Sequence, residues 1–235
     1  MRGFNGKRLS PSGVDRALLC AYSFVADQPW ADKQSPSAKL GSAFHDYSQD
    51  LIDAPWSART VDRLGDEHKL APYQRRDLAI MMRKLDDWIR EQDFSGAEAE
   101  VKLAVDPERM TARRLTSKKH RDYSEATDNE IAGSLDVLRF RPDLAIVDDW
   151  KTGRFVDHPG ESVQQRGYAL GGLILYNVPR VECGIVRVNA QQDPIRLVAT
   201  FEADQLRAFA GELVQLRGKI RDKTQRPNPG ALACR

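Results

Sequence analysis

The chain has 235 residues, of which 41% are hydrophobic and 30% are charged, and its formal net charge is +2. This composition is typical of a globular protein with a sizeable core, and at this length one domain over residues 1–235 is the default. No apolar run approaches the length that crosses a membrane, so the composition excludes a membrane protein. A net charge this close to zero excludes any argument for a nucleic-acid partner from overall charge alone.

The cysteines and the first residues point to an intracellular protein. The chain contains three cysteines, Cys20, Cys183 and Cys234, an odd number without close spacing, and this predicts no disulfide framework. The first residues are basic but lack the apolar core of a signal peptide, so we expect a cytoplasmic location. No phosphate-binding loop of the NTPase type occurs, and we expect no helicase motor in the chain.

Residues 1–95 are predicted to be mainly helical. Ser10 or Ser12 is suited to cap a first helix. Residues 37–51 carry apolar side chains at helical spacing, and His45 lies at the edge of that apolar stripe. A histidine in such a position is either a hydrogen-bonded boundary residue or a ligand.

Two further stretches complete this helical part. Residues 73–92 have the apolar spacing of a long amphipathic helix, whose apolar side is most simply core packing. The polar stretch of residues 56–69 before it is predicted to be irregular.

Residues 96–221 are predicted to form the sheet-containing core. Residues 97–105 have the composition of a first strand, on which alternation places Glu98 and Glu100 on one face. Residues 106–130 are long, polar and poor in apolar residues, which predicts a functional or disordered loop. Its basic residues either bind phosphates or are solvated surface; they include Arg113, Arg114, Lys118, Lys119 and Arg121.

The centre of the chain is a predicted β-hairpin. Two strand-like runs, residues 131–140 and 144–151, flank a turn that contains Pro142 and Asp143, and both residue types favour a tight reversal. On the first of these strands Asp136 stands among apolar residues, where a charge that faces solvent is not expected.

Alternation along the second strand separates its polar residues into two sets. Asp149 and Lys151 share one face, whereas Asp148 and Trp150 point the other way. With Asp136 on the adjacent strand, two carboxylates and one ammonium could hold a hard divalent cation and position a water molecule beside it. The usual meaning of an Asp-x-Lys triplet alone is a solvated strand end, since charged residues normally face water.

After the hairpin, residues 161–176 have the pattern of a helix. Gln164 and Tyr168 lie one turn apart and therefore project together. The last predicted elements are strands at residues 182–188 and 195–201 and a closing helix at residues 203–219.

Four motifs follow one another in a characteristic order: Gly41-x-x-x-His45, Gly133-Ser-Leu-Asp136, Asp149-Trp-Lys151-Thr-Gly153 and Gln164-x-x-x-Tyr168. This order resembles the PD-(D/E)XK nuclease superfamily, and within it the RecB-like exonuclease branch with its CRISPR-associated and phage exonuclease relatives. The resemblance implies an α/β fold with a restriction-endonuclease-like αβββαβ core, a mixed central sheet and a helical N-terminal region. The predicted order of helices and strands agrees with that fold.

The resemblance also implies a function and a set of site residues. The chain would be a divalent-metal-dependent deoxyribonuclease, in particular an exonuclease. His45, Asp136, Asp149 and the carbonyl of Trp150 would bind Mg²⁺ or Mn²⁺, and Lys151 would orient or deprotonate the attacking water.

The remaining implied roles concern the substrate. Gln164 and Tyr168 would place the DNA strand, and Glu100 would support the active site. A helicase or another repair or recombination partner fits such a nuclease. The alternative is a noncatalytic nucleic-acid-binding module that keeps the fold.

Some relatives hold an iron–sulfur cluster on one cysteine after the first helix and three near the C-terminus. In this chain Cys20 and Cys234 occupy comparable positions and two further ligands are missing. We therefore expect no intact iron–sulfur cluster.

Overall fold

The structure is a computed structural model that describes residues 9–19, 35–50, 57–117, 122–153 and 158–221. Several residues of the sequence predictions lie outside these ranges: Cys20, Cys234, Lys118, Lys119 and Arg121. Among the described residues, no helix is both long and apolar enough to span a bilayer.

The first part of the described chain is helical, as predicted. Its helices are α1 (Pro11–Leu19), α2 (Pro36–Asp50), α3 (Ala58–Glu67) and α4 (Pro72–Glu91).

Helix α3 replaces the irregular segment that was predicted for residues 56–69. The side chain of Ser57 accepts a hydrogen bond from the backbone N–H of Thr60, which caps the helix. The helix buries only a narrow apolar strip, which includes Val61 and Leu64. Polar residues dominate the helix, and the helical spacing of its few apolar residues was missed in the sequence.

The second part contains the sheet and two helices. Its elements are β1 (Glu98–Asp106), β2 (Thr111–Arg114), β3 (Ile131–Arg141), β4 (Leu144–Lys151), α5 (Val163–Tyr176), β5 (Arg180–Arg187), β6 (Ile195–Glu202) and α6 (Ala203–Arg221). The strand order is β2-β1-β3-β4-β5-β6. Strands β4 and β5 pair in parallel and the other neighbours pair antiparallel. The expected α/β fold with a mixed central sheet is thus confirmed.

Strand β2 was not predicted, because it lies in the polar stretch assigned to a loop. It pairs antiparallel with the end of β1, from Leu103 opposite Arg114 to Asp106 opposite Thr111. Most of its side chains are exposed at the edge of the sheet, so no apolar alternation marks it in the sequence.

Helices cover both faces of the sheet. On the first face α1, α5 and α6 enclose a core that includes Leu103, Leu135 and Leu170. On the second face α2, α3 and α4 enclose a core that includes Val137 and Trp150.

Two glycines allow α1 to approach the sheet closely. A Cβ at Gly133 of β3 would lie 2.7 Å from Cδ of Pro11, and one at Gly167 of α5 would lie 3.2 Å from Cβ of Pro11. Atoms at such distances would have to move apart, so glycine at these positions lets the start of α1 sit between β3 and α5.

Side-chain alternation is interrupted on β1. The carboxylate of Glu98 accepts hydrogen bonds from Arg114 and from Tyr176 of α5, whereas Glu100 accepts one from the hydroxyl of Ser134 at 2.8 Å. Glu100 has a φ of 51°, a conformation that a residue with a Cβ adopts rarely. The two glutamates therefore have separate sets of neighbours, which differs from the shared face that regular alternation predicts.

The same interruption occurs on the neighbouring strand β3. Leu135 belongs to the core of the first face and Val137 to that of the second, although regular alternation would put them on one face. Between them lies Asp136, next to Glu100 across the two strands, since Ala99 pairs with Val137 and Val101 with Leu135. The irregular positions of two strands thus coincide.

Candidate active site

A cavity of about 410 Å³ opens at this irregular position, where α1, α2 and α5 meet the central strands. The described chain brings seven of the predicted site residues to its walls: His45, Glu100, Asp136, Asp149, Lys151, Gln164 and Tyr168.

The cavity lies where β3 and β4 separate. Their pairing runs from Arg141 opposite Leu144 to Val137 opposite Asp148. One residue further on, Oδ2 of Asp136 accepts a hydrogen bond from the backbone N–H of Trp150 at 2.7 Å. A side-chain carboxylate thus takes the place of a strand partner at the cavity.

Asp149 and Lys151 point into the cavity from one face of β4. Nζ of Lys151 lies 2.6 Å from Oδ2 of Asp149, whose residue is only 3% exposed. Burial, together with the nearby charge of Asp136, raises the pKa of Asp149 to about 6 against the opposing effect of Lys151. The ammonium therefore offsets only part of the cost of burying this carboxylate.

The pKa of Lys151 itself is raised. Burial by itself lowers this pKa, but the charge of Asp149 and the hydrogen bond to it outweigh the effect of burial. Lys151 is thus an ammonium at neutral pH in this arrangement.

His45 reaches the same carboxylates from α2. Its Nδ1 lies 3.6 Å from Oδ1 of Asp136. Burial lowers the pKa of His45, and the hydrogen bond and charge of Asp136 raise it by more, so the net shift is upward. On the next residue, Asp46, Oδ2 lies 2.7 Å from Nε2 of His68, which ties α2 to the end of α3.

The donor chemistry of this cluster fits a hard divalent cation. Carboxylate oxygens suit Mg²⁺ and Mn²⁺, and an imidazole suits Mn²⁺. Asp149 carries a raised pKa partly because of Asp136, and a cation between them would remove that repulsion.

In the conformation of the described residues, no group of three His, Cys, Asp or Glu side chains is arranged to hold a metal ion. One carboxylate oxygen of each aspartate is engaged by a protein group. Asp136 accepts from the N–H of Trp150, and Asp149 is paired with Lys151. The side chain of Trp150 is fully buried in the second core, so only its backbone faces the site.

Comparison with known families decides what this cluster belongs to. A family model described as the PD-(D/E)XK nuclease superfamily matches residues 8–235. The chain belongs to the PD-(D/E)XK nuclease superfamily. Members of this superfamily are generally nucleases, and they use divalent metals, typically Mg²⁺.

Two other comparisons add nothing to the family assignment. No curated protein matches the chain. Among solved structures, the crystal structure of SSO0001 matches at 14% sequence identity, with 80% of this chain and 87% of that chain covered and a TM-score of 0.30. A likeness this low supports no further conclusion.

In this PD-(D/E)XK chain, helix α5 delivers the predicted Gln-x-x-x-Tyr pair. The side chain of Ser162 caps the helix by accepting from the N–H of Gln165. Nε2 of Gln164 donates to the hydroxyl of Tyr168 at 3.0 Å and lies 3.5 Å from Oδ1 of Asp149. Burial, followed by the charges of Asp149 and Asp136, raises the pKa of Tyr168, which keeps the phenol protonated.

Two of the basic residues that were candidates for phosphate binding, Arg113 and Arg114, take structural partners. Nε of Arg113 lies 2.9 Å from Oε1 of Glu130, and Arg114 is paired with Glu98. Neither lines the cavity.

Some cavity residues were missed by the sequence analysis. Gln49 lines the cavity one helical turn after His45, and that spacing was a signal that could have found it. Tyr123 and Ser134 also line it. Tyr123 lies on the loop between β2 and β3, and nothing in the local sequence indicates that it lines this cavity.

Proposed function

We propose that the chain is a divalent-metal-dependent deoxyribonuclease that hydrolyses phosphodiester bonds, in particular an exonuclease of the RecB-like branch. One observation carries the proposal: Asp136, Asp149 and Lys151 converge on one cavity at the point where two strands separate. Membership of a nuclease superfamily supports the reaction class. The order of the motifs around His45 and Gln164 supports the branch.

The proposed metal ligands are the carboxylates of Asp136 and Asp149, the imidazole of His45 and the carbonyl of Trp150. A bound Mg²⁺ or Mn²⁺ would lower the pKa of a water molecule and neutralise charge on the scissile phosphate. The excess of carboxylate charge at Asp136 and Asp149 prepares the protein for such an ion.

Lys151 acts through its charge. An ammonium has no lone pair and cannot be a ligand, but it stabilises negative charge that develops on the phosphate. Because its pKa is raised, its charge is present at neutral pH. This favours orientation and electrostatic stabilisation over deprotonation of the water.

Three further residues hold the reacting groups in place. Gln164 donates to Tyr168 and borders Asp149, so this pair is suited to position the DNA strand beside the carboxylates. Glu100 is held by Ser134 and supports the same wall. A helicase or another repair protein would supply such a nuclease with a free DNA end.

Cleavage of labelled DNA tests the proposal. Linear and circular DNA, single- and double-stranded, would be incubated with Mg²⁺, Mn²⁺, Ca²⁺ or EDTA. We expect metal-dependent release of nucleotides from linear DNA, with circular DNA resistant. Cleavage of circles would instead establish an endonuclease.

Matched variants identify the site. Lys151→Ala and Asp149→Asn should lose cleavage, whereas Lys219→Ala, which removes an exposed lysine of α6, should keep it. Binding of DNA without any cleavage would show a noncatalytic module. Absence of both binding and cleavage would overturn the proposal.

A further inference from the structure

The inference concerns Tyr123 and rests on the proposed nuclease function. Tyr123 lines the same cavity as Asp136 and Asp149, although it comes from the loop between β2 and β3. It is half-buried, so part of the residue is accessible. No motif includes it.

One side of Tyr123 rests on small residues. It packs against a cluster that contains Ala104 of β1 and Ala132 of β3, which pair directly across the two strands. Leu115 and Ala126 complete this cluster. The alanines leave room for the tyrosine, which is thereby supported from the sheet.

Hydrogen bonds join the described residues on either side of Tyr123. The carboxylate of Glu125 accepts from the backbone N–H of Thr116 at 3.1 Å and from that of Ser117 at 2.6 Å. The carbonyl of Glu125 accepts from Nη2 of Arg113 at 2.6 Å. Because these bonds need no substrate, Tyr123 is positioned in advance, which lowers the entropic cost of binding.

Different walls of the cavity are suited to different parts of a nucleotide. Asp136, Asp149 and Lys151 provide the polar wall where the phosphate would react. Tyr168 is only 8% exposed and its hydroxyl is engaged by Gln164, so it offers little ring surface. Tyr123 is the more exposed of the two tyrosines that line the cavity.

We propose that Tyr123 is a substrate-positioning residue whose ring stacks on the nucleobase next to the scissile phosphate of DNA. Any base can make this contact, because every base has an aromatic face. A base can do so only when it has left its own stack and pairing. The site therefore takes a terminal nucleotide that is unpaired, irrespective of its sequence.

Cleavage kinetics with a matched set of variants and substrates test this proposal. The variants are Tyr123→Ala, Tyr123→Leu, Tyr123→Phe and, as a control, Tyr73→Ala, which removes a tyrosine of α4 that is 57% exposed. The substrates are a single-stranded oligonucleotide and the same oligonucleotide without the base next to the cleaved bond. If Tyr123→Ala fails to fold, Tyr123→Leu takes its place, because leucine keeps an apolar side chain against Ala104 and Ala132.

We expect Tyr123→Ala and Tyr123→Leu to lower kcat/KM by roughly 5- to 150-fold, the factor that corresponds to stacking on one base. Tyr123→Phe and Tyr73→Ala should stay near wild type. Loss of the base should slow the wild type by a similar factor and leave Tyr123→Leu unchanged. The stacking role is overturned if removing the base slows Tyr123→Leu as much as it slows the wild type. It is also overturned if Tyr123→Phe is as slow as Tyr123→Ala.

A binding measurement separates this proposal from the nuclease function. A 2-aminopurine placed next to the scissile phosphate reports stacking through loss of its fluorescence, measured in Ca²⁺ with the Lys151→Ala protein. Quenching that depends on Tyr123 supports the stacking role even if no DNA is cleaved. Cleavage by the wild type with no dependence on Tyr123 in either measurement would leave the nuclease function intact and overturn the stacking role.

Discussion

Two neighbouring aspartates of β4 are both buried, yet they face opposite sides of the sheet in opposite electrostatic surroundings. Asp148 is 0% exposed. Its Oδ2 accepts from Nη2 of Arg139 at 2.6 Å, and its Oδ1 accepts from Nε of Arg196 at 2.7 Å. The guanidinium of Arg139 also lies 4.4 Å from the ring centre of Phe94, and Arg196 pairs with Glu182.

Asp149 has the reverse arrangement. It faces a second carboxylate, Asp136, and has Lys151 as its cationic partner. Its pKa is raised to about 6 because burial and the second carboxylate disfavour its charge.

At equal burial, the protein compensates the charge of one carboxylate with two cations and leaves that of the other only partly compensated. Asp148 lies among compensating cations, so its charge holds β3, β4 and β6 together. Asp149 lies beside a second carboxylate in surroundings that disfavour its charge, and this supports the proposal that it binds a cation. The following predictions test this contrast.

The largest effect is expected at Asp148, the aspartate with two arginine partners. Asp148→Ala removes the carboxylate partner of the buried Arg139 and one of the two carboxylate partners of the partly buried Arg196, and this should lower the free energy of unfolding by about 3–5 kcal/mol. Urea denaturation measures it. The control is Asp204→Ala, because Asp204 is 94% exposed in its pair with Arg207 and should cost less than about 1 kcal/mol. A similar small loss at both positions would contradict the structural role of Asp148.

In the proposed active site, Lys151→Ala should reduce cleavage by about 10²- to 10³-fold, which is the effect of losing one preorganised electrostatic contact. Some stability should be lost as well, because Lys151 offsets part of the cost of burying the carboxylate of Asp149. Single-turnover cleavage, DNA affinity in Ca²⁺ and the melting temperature would be compared with the wild type. Full cleavage by a normally folded variant would remove Lys151 from the mechanism.

The raised pKa of Asp149 predicts a pH dependence of stability in metal-free protein. Between its ordinary value of 3.8 and about 6, the folded state binds more protons at this group than the unfolded state. The contribution of Asp149 to stability therefore falls as pH rises through this window. Asp149→Asn removes that dependence.

Thermal unfolding in EDTA from about pH 4 to about pH 7 checks this expectation. The melting temperature of Asp149→Asn should rise relative to that of the wild type as the pH increases. Added Mg²⁺ or Mn²⁺ should then stabilise the wild type more than the variant. If the difference in melting temperature between Asp149→Asn and the wild type stayed constant across the pH range, the pKa of Asp149 would not be raised.

The position of the Asp148 side chain also depends on Gly184 of β5, which pairs with Asp148. A Cβ at Gly184 would overlap Oδ1 of Asp148, so Gly184→Ala should cost roughly 1–3 kcal/mol of unfolding free energy. Gly211 of α6 is the control, since a Cβ there meets no atom within 4 Å. Gly211→Ala should stabilise the helix by about 0.5–1 kcal/mol, and equal effects of both substitutions would refute the crowding at Asp148.

The smallest effect is expected at His45, which lies at the edge of the proposed metal site. His45→Ala should weaken activation by metal roughly tenfold, and more for Mn²⁺ than for Mg²⁺, because imidazole is a better ligand for Mn²⁺. Activity would be titrated with both metals. His158→Ala, which removes an exposed histidine, is the control. Unchanged curves for both metals would remove His45 from the set of ligands.

Local periodicity was sufficient to predict much of the fold and the direction of several side chains. The β3–β4 hairpin forms as predicted, and alternation along β4 places Asp149 and Lys151 together. Helical spacing likewise brings Gln164 to Tyr168. These features follow from the sequence because backbone geometry alone sets which residues of one element share a face. Helix α3 and strand β2 were missed because polar residues dominate both.

Only the tertiary structure decided which aspartate is neutralised and which is left in a surplus of negative charge. Arg196, which neutralises Asp148, lies 48 residues away in the sequence, on β6. Tyr123 reaches the cavity from a loop, and the positive φ of Glu100 interrupts the alternation that the sequence predicts. The partners of a buried charge come from other strands and loops, so they depend on how these pack and not on the local pattern of residues.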